Sequence, residues 1–250
     1  MVLCFDIGNS NIVASRIIDD KIKDTIRLVT NTLLTADEYY QRLKDYIGND
    51  NLEGVAVSCV VPLLDRVFYE LFTKYYKIKP FFVVPGIKSG IKLKIEEPKS
   101  LGSDLLCDAI GASQKYGYPV MIADLGTASK LIVVSDKKEY LGGMIAPGME
   151  KSLDSLIQGA AKLSHTSMEC PPHVVSNNTT ECIQSGLIYG TASMIDGMIE
   201  RSMKELGYDK CKVVLTGGLS VLIKNILNTK VYYEPNILIE GLYSLYLKNK

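Results

Sequence analysis

The sequence predicts an α/β protein made of two similar domains that face one another across a cleft. Three observations predict it. The stretch VLCFDIGNSNIVASRIIDDK, starting at Val2, returns near mid-chain as VMIADLGTASKLIVVSDKKE, starting at Val120. Runs of strand length and composition alternate with segments of helical spacing. The 250 residues are 47% hydrophobic and 22% charged, enough apolar material for a substantial core and far from a disordered composition.

Each copy of the repeat reads as a strand ending in an acid (Asp6, Asp124), an aliphatic residue and a glycine (Ile7-Gly8, Leu125-Gly126), short polar residues, and a second strand. An acid/lysine turn follows each copy (Asp19-Asp20-Lys21, Asp136-Lys137-Lys138). Between the copies, the apolar spacing predicts a helix over 36–47, a buried strand over 54–61 and a helix over 63–76 that starts after Pro62. A short strand is expected over 81–84 and a helix over 101–116, broken at Gly117-Tyr118-Pro119. The domain junction is placed there, giving domains 1–117 and 118–250. The second half predicts a helix over 148–161, a loop at Pro171-Pro172, a long helix over 179–206, a strand over 212–216 running into Gly217-Gly218, and a closing helix from about Ile237.

Several function classes are disfavoured by composition. Lys and Arg number 28 and so do Asp and Glu, so no global basic excess is available to grip a nucleic-acid backbone. No apolar run approaches the roughly 18 residues of a membrane helix. MVLCFDIGNS lacks a basic-then-apolar leader pattern, and a cytoplasmic protein is expected. The six cysteines form no CxxC pair, and Cys4, Cys59 and Cys211 read as small buried hydrophobes in strands. His165 and His173 flank Cys170 in a proline-rich stretch that reads as a surface loop rather than a metal site. Met194, Met198 and Met203, with Ile188, Ile195 and Ile199, fall at near-helical spacing and read as a core or dimer face rather than a cofactor pocket.

The glycine loops carry the chemistry. A glycine just after a strand lets a phosphate approach the backbone, and Asn9, Ser10 and Asn11 add short donors. An acid at the strand tip can orient a hydrated Mg²⁺, which takes one carboxylate plus phosphate oxygens readily. Asp124-Leu125-Gly126-Thr127-Ala128-Ser129 repeats these features. A single Asp-x-Gly is also what an ordinary hairpin turn contains; two copies with matched strands favour a nucleotide site. Neither GxxxxGK[ST] nor GxGxxG occurs.

With these loops the chain resembles the type III pantothenate kinases, of the acetate kinase/sugar kinase/Hsp70/actin superfamily. The resemblance runs from Asp6 to the C-terminal helix. It rests on Asp6-Ile7-Gly8-Asn9-Ser10, Ser58-Cys59-Val60-Val61-Pro62, Gly102-Ser103-Asp104, Asp124-Leu125-Gly126-Thr127-Ala128, the turn Gly142-Gly143-Met144-Ile145-Ala146-Pro147-Gly148, Asn178-Thr179 with Ser185-Gly186, and Thr216-Gly217-Gly218-Leu219, all in family order. It implies two duplicated ribonuclease H-like, or actin-like ATPase, domains around a central nucleotide cleft. It also implies ATP-dependent phosphorylation of pantothenate to 4'-phosphopantothenate, the first step of coenzyme A biosynthesis.

By the same resemblance, Asp6, Ile7, Gly8, Asn9, Ser10, Asn11, Ile12 and Val13 form the ATP phosphate loop, with Thr127 assisting and Asp6 holding Mg²⁺ through water. Asp104 is the general base that takes the proton of pantothenate's primary hydroxyl. Gly102, Ser103 and Leu105 lie at the acceptor, with Ile95. Asp124 helps hold a monovalent cation, K⁺ or NH₄⁺. Thr179 reaches acceptor bound to the second subunit of a homodimer. No nucleic acid and no membrane partner are implied.

Three positions depart from the family pattern. Leu105 stands where an Arg follows the catalytic Asp, Ile95 where a substrate-contacting Tyr precedes a Pro, and Ser129-Lys130 where Thr follows Gly-Thr-Ala. Losing an Arg contact to an anionic acceptor removes about 1.5–3 kcal/mol, or roughly ten- to 150-fold in affinity. Lys130 either restores positive charge on the acceptor side or lies solvated on a strand. A kinase for a different small alcohol, or a non-catalytic ATP-binding regulator on the same fold, are the alternatives; an Hsp70- or actin-like polymer is poor on length.

Overall fold

The chain is seen here in a computed structural model that describes residues 1–48, 51–159 and 166–250. Both expected hairpins form. In the first, β1 (Val2–Ile7) pairs antiparallel with β2 (Asn11–Ile18), which pairs with β3 (Lys21–Val29). β4 (Gly54–Cys59) joins the other side of β1 in parallel, and β5 (Phe81–Phe82) extends it, giving the order β3-β2-β1-β4-β5. In the second, β7 (Val120–Leu125), β8 (Ala128–Val134) and β9 (Glu139–Pro147) form the antiparallel ribbon, with β10 (Lys212–Thr216) and β11 (Tyr232–Tyr233) parallel on the far side of β7. The order β9-β8-β7-β10-β11 repeats that of the first sheet, so the duplication read from two hairpins extends to whole sheets. A short strand β6 (Lys92–Leu93) is added beside β9.

Each sheet gains its core from helices. The spacing over 36–47 gives α1 (Ala36–Ile47), opened by a capping box in which the Thr35 N–H donates to Glu38 and closed at Gly48, φ 68°. α2 (Pro62–Leu71) starts at Pro62, where the missing N–H costs nothing. The helix expected to continue to 76 instead widens into a π turn over Phe72–Tyr76, with Phe72 on Phe5 at 5.4 Å between ring centroids. Leu3, Phe5 and Ile7 of β1 pack on Tyr39, Leu43, Phe68 and Phe72 as one buried cluster. Cys4, on the opposite face of β1, is buried as well, which is why this strand reads as a continuous apolar run. β3 exposes Lys21, Lys23 and Arg27 on one face and half-buries Ile22, Ile26 and Leu28 on the other, as suits an exposed edge.

In the second sheet the layer is α4 (Met149–Gly159) and the 28-residue α5 (Thr179–Leu206). Asn178 caps α5 by accepting the Glu181 N–H at 3.0 Å, and Gly207, φ 69°, ends it. Ile188, Ile195 and Ile199 are fully buried against Met121, Ala123 and Leu215, while Met194, Met198 and Met203 pack at the edge of that cluster. The end expected for α4 at residue 161 and His165 lie outside the described residues. Gly142 to Pro147, expected as a turn, are strand β9; the turn follows at Gly148.

The chain divides into two compact units. One is Met1–Ile91, Glu96–Gly111 and Ile237–Lys250; the other is Lys92–Ile95 and Ala112–Asn236. The last helix, α6 (Ile237–Asn249), therefore belongs with the N-terminal sheet rather than with the residues just before it. Glycines allow this. α6 meets α3 (Ser103–Tyr116) so closely that a Cβ on Gly241 would lie 1.9 Å from the Cys107 carbonyl oxygen. No helix of the described residues is long and apolar enough to cross a membrane.

Candidate active site

In the first unit, the hairpin between β1 and β2 closes after the pair Ile7–Ile12. Gly8 N–H donates to the Asn11 carbonyl at 2.9 Å. Thr30, just past β3, ties the turn down: its hydroxyl donates to the Gly8 carbonyl at 2.6 Å and its N–H to that of Ser10 at 3.1 Å. Asn9 at the tip is exposed and Ser10 and Asn11 are half-buried, so short polar groups line a pinned loop. Asp6 lies one residue before the end of β1, half-buried, opposite Val13.

The first turn of α3 is brought to the same strand ends. Ser58, fully buried near the end of β4, and Ser103 share a hydroxyl–hydroxyl bond of 3.0 Å, and Ser103 also donates to the Cys59 carbonyl at 3.1 Å. This clasp holds the N-terminus of α3 against β4. Asp104 and Leu105 follow it, both half-buried. One Asp104 oxygen accepts the Leu105 N–H at 2.8 Å. A Cβ on Gly102 would lie 2.4 Å from that oxygen, so the glycine makes room for the carboxylate.

Cys107, on α3, is fully buried. Burial pushes this thiol well above its ordinary range, and the negative charges of Asp6, Asp108 and Asp104 push it further in the same direction. Both predicted acids of this unit thus sit within electrostatic reach of one buried sulfur, which the sequence did not single out. Cys59 is raised by burial first and then by Asp65 and Asp6. Neither thiol is poised as a nucleophile.

In the second unit, the loop between β7 and β8 is one residue tighter. Its last ladder pair is Leu125–Ser129, where the first hairpin closes at Ile7–Ile12. Thr127 is exposed at the tip, and its carbonyl accepts the Gly148 N–H at 3.2 Å. The shorter loop changes what stands opposite the acid. Asp124 is paired across the ladder with Lys130, whose ammonium lies 2.8 Å from the Asp124 Oδ2, with side chains only 17% and 12% exposed. Lys130 is thus held on Asp124 rather than solvated on its strand. Around the other carboxylate oxygen, the backbone of Gly217, φ 90°, approaches so closely that a Cβ there would lie 2.5 Å from Oδ1. A monovalent cation at Asp124 would have to share this carboxylate with an ammonium ion already on it, and the residues present do not fit one.

The remaining predicted positions are also in this unit. Ile95 follows β6 and faces β9, where a Cβ on Gly142 would meet its side chain at 3.6 Å. Thr179 is the exposed first residue of α5. His173 is exposed in the loop before α5, and among the described residues no group of three His, Cys, Asp or Glu side chains is placed to hold a metal. Asp6 can still serve Mg²⁺, which needs one or two carboxylates when phosphates supply further oxygens.

These sheets and hairpins define a protein of the actin-like ATPase and sugar kinase fold. Solved structures agree on the fold: a Campylobacter jejuni protein named as a Baf family transcriptional activator (18% identical, TM-score 0.63, covering 99% of this chain and 98% of that one), and a polyphosphate/ATP-glucomannokinase of Arthrobacter sp. strain KM (14%, 0.52, 98% of each). The family is shown by sequence. The model of the type III pantothenate kinases matches residues 2–201. Type III pantothenate kinases of Acholeplasma laidlawii and Anaeromyxobacter sp. are each 37% identical, covering all of this chain and 99% and 100% of their own lengths. The chain belongs to the type III pantothenate kinase family.

Proposed function

We propose that this chain transfers the γ-phosphoryl group of ATP to the primary hydroxyl of pantothenate, giving 4'-phosphopantothenate and ADP at the start of coenzyme A biosynthesis. Family membership supports the reaction. The observation that carries the site is the Ser58–Ser103 clasp, which sets Asp104 at the start of α3 in the same unit as the Asp6 loop.

Asp104 accepts the hydroxyl proton as the acceptor oxygen bonds to the γ-phosphorus and the bond to the ADP oxygen breaks. Phosphoryl transfer asks mainly for positioning and charge neutralisation, so a single well-held carboxylate is sufficient as base. Asp6 to Val13 present the backbone and short polar side chains to the ATP phosphates, and Thr127 adds a hydroxyl. Asp6 would hold Mg²⁺ through water, and Mg²⁺ would supply neutralising charge to the ATP phosphates. Gly102, Ser103, Leu105 and Ile95 line the acceptor, and Thr179 completes it from a second copy in a homodimer. Leu105 and Ile95 make this acceptor side more apolar than the family pattern, which favours testing neutral alcohols beside pantothenate.

The test is ADP release with Mg·ATP and pantothenate, run beside pantothenate analogues and polyols, with Asp104→Asn as control. Activity highest on pantothenate and lost by about 10²–10⁴-fold in the variant is expected. Nucleotide binding without transfer to any alcohol would instead indicate a regulator.

A further inference from the structure

We propose that Lys130 is a built-in monovalent cation, so that this kinase works without added K⁺ or NH₄⁺. The inference rests on the phosphate-loop reading of the Asp124 hairpin. Its basis is the geometry around one carboxylate. Asp124 is buried at the tip of β7, with a relative exposure of 9%. An anion so placed is costly unless a positive charge meets it. In this chain that charge comes from the adjacent strand.

The local register explains why. Residues directly opposite in an antiparallel ladder lie on the same face of the sheet. Lys130 is directly opposite Asp124, so its side chain runs along the face from which the carboxylate projects, and its ammonium reaches Oδ2 at 2.8 Å. The equivalent position in the first hairpin is Val13, opposite Asp6, which offers no charge. The cross-strand lysine is thus a feature of the second ladder.

A lysine ammonium is a compact point charge that bonds oxygen from any of three directions, unlike the planar fork of arginine. It carries the same single charge as K⁺ and donates to oxygen neighbours in its place. Being covalently attached, it is present at high effective concentration at all salt compositions. A second cation brought within about 4 Å of it would be repelled. With the Lys130 ammonium already on Oδ2, a metal ion that needs several oxygens at once would have to share this carboxylate with a fixed positive charge.

The experiment compares the wild type and Lys130→Thr in choline chloride, KCl and NH₄Cl at equal ionic strength. Pantothenate-dependent ADP release, Mg·ADP affinity by calorimetry and melting temperature are measured in each salt. In the wild type all three stay the same between choline and K⁺, rates and affinities agreeing within about twofold. In Lys130→Thr, K⁺ and NH₄⁺ raise the melting temperature above that in choline, and raise affinity or rate roughly tenfold. A wild type that loses about tenfold in rate or affinity when K⁺ is withdrawn overturns the proposal. So does a Lys130→Thr protein indifferent to the cation. Should Lys130→Thr not fold, Lys130→Arg must remain K⁺-independent, and the wild-type comparison decides by itself. If no salt supports transfer to pantothenate, the functional reading fails, while melting and nucleotide affinity still report on the cation.

Discussion

Ser103 and Ser58 join the start of α3 to the end of β4 through a 3.0 Å hydroxyl pair in a buried setting. Ser103 has one proton, and its contact with the Cys59 carbonyl uses it, so Ser58 is the donor between the two hydroxyls. Ser103→Ala removes two hydrogen bonds and is expected to cost about 1–2 kcal/mol, Ser58→Ala about 1 kcal/mol. Chemical denaturation of both single variants and the double should show them coupled, since they share a bond. Because Asp104 rides on this turn, kcat should fall by about tenfold in Ser103→Ala with the KM for ATP little changed.

Leu105 occupies the position next to the proposed base where the family pattern has an arginine. Leu105→Arg should lower the KM for pantothenate by roughly tenfold or more, the worth of one charge-assisted bond to its carboxylate. Neutral alcohols should gain nothing from the substitution. Steady-state kinetics on both acceptor classes provide the check, and an equal effect on both would exclude an electrostatic origin.

Gly111 and Gly241 let α3 and α6 touch backbone to backbone. A Cβ on Gly111 would lie 2.2 Å from the Ile237 carbonyl oxygen, and neither neighbour is a flexible side chain. Gly241→Ala should destabilise by about 1–3 kcal/mol or more through overpacking. Hydrogen exchange should show amides of α6 losing protection first, because this helix must shift to admit the methyl group.

Glu234 is held by Lys115 at 2.7 Å and by the Tyr116 hydroxyl. Burial alone would raise its carboxyl; the bonds from Lys115 and Tyr116 and the Lys115 charge outweigh this and hold it below the ordinary value of 4.5. A depressed folded-state value means that Glu234 adds stability above about pH 4.5 and loses it as the pH falls toward the folded-state value. Melting temperature should therefore drop between about pH 5 and pH 3 more steeply in the wild type than in Glu234→Gln.

Much of the architecture is visible in the residues themselves. The bounds of α1, α5 and β10 follow from spacing and end signals: Thr35 with Glu38, Asn178 and Gly207, and the run from Lys212 to Thr216 before Gly217. The two hairpins follow from their repeated acid and glycine. The strand β9 is less legible, because Gly142 and Gly143 read as a turn. They lie in a strand because a Cβ at Gly143 would strike the Leu131 carbonyl at 1.7 Å, and glycine is what permits the close ladder. Motifs name the proposed site residues one by one, but say nothing of how the fold arranges them. Asp6, Asp104 and Asp124 stand out by motif, but nothing in their spacing predicts that the charges of Asp6, Asp104 and Asp108 all act on the buried Cys107 thiol.

Sequence alone is enough to establish the duplicated hairpins, the helices and the family motifs, because these depend on periodicity and on the backbone freedom of a few glycines, which are local properties. Strand order, the return of α6 to the N-terminal sheet and the partner of Lys130 are settled by folding. They depend on register and close approach between segments distant in the chain or across a turn. A loop shorter by one residue sets Lys130 opposite Asp124, where the first hairpin sets Val13 opposite Asp6. A one-residue change of register reassigns every cross-strand neighbour, and composition carries no record of it.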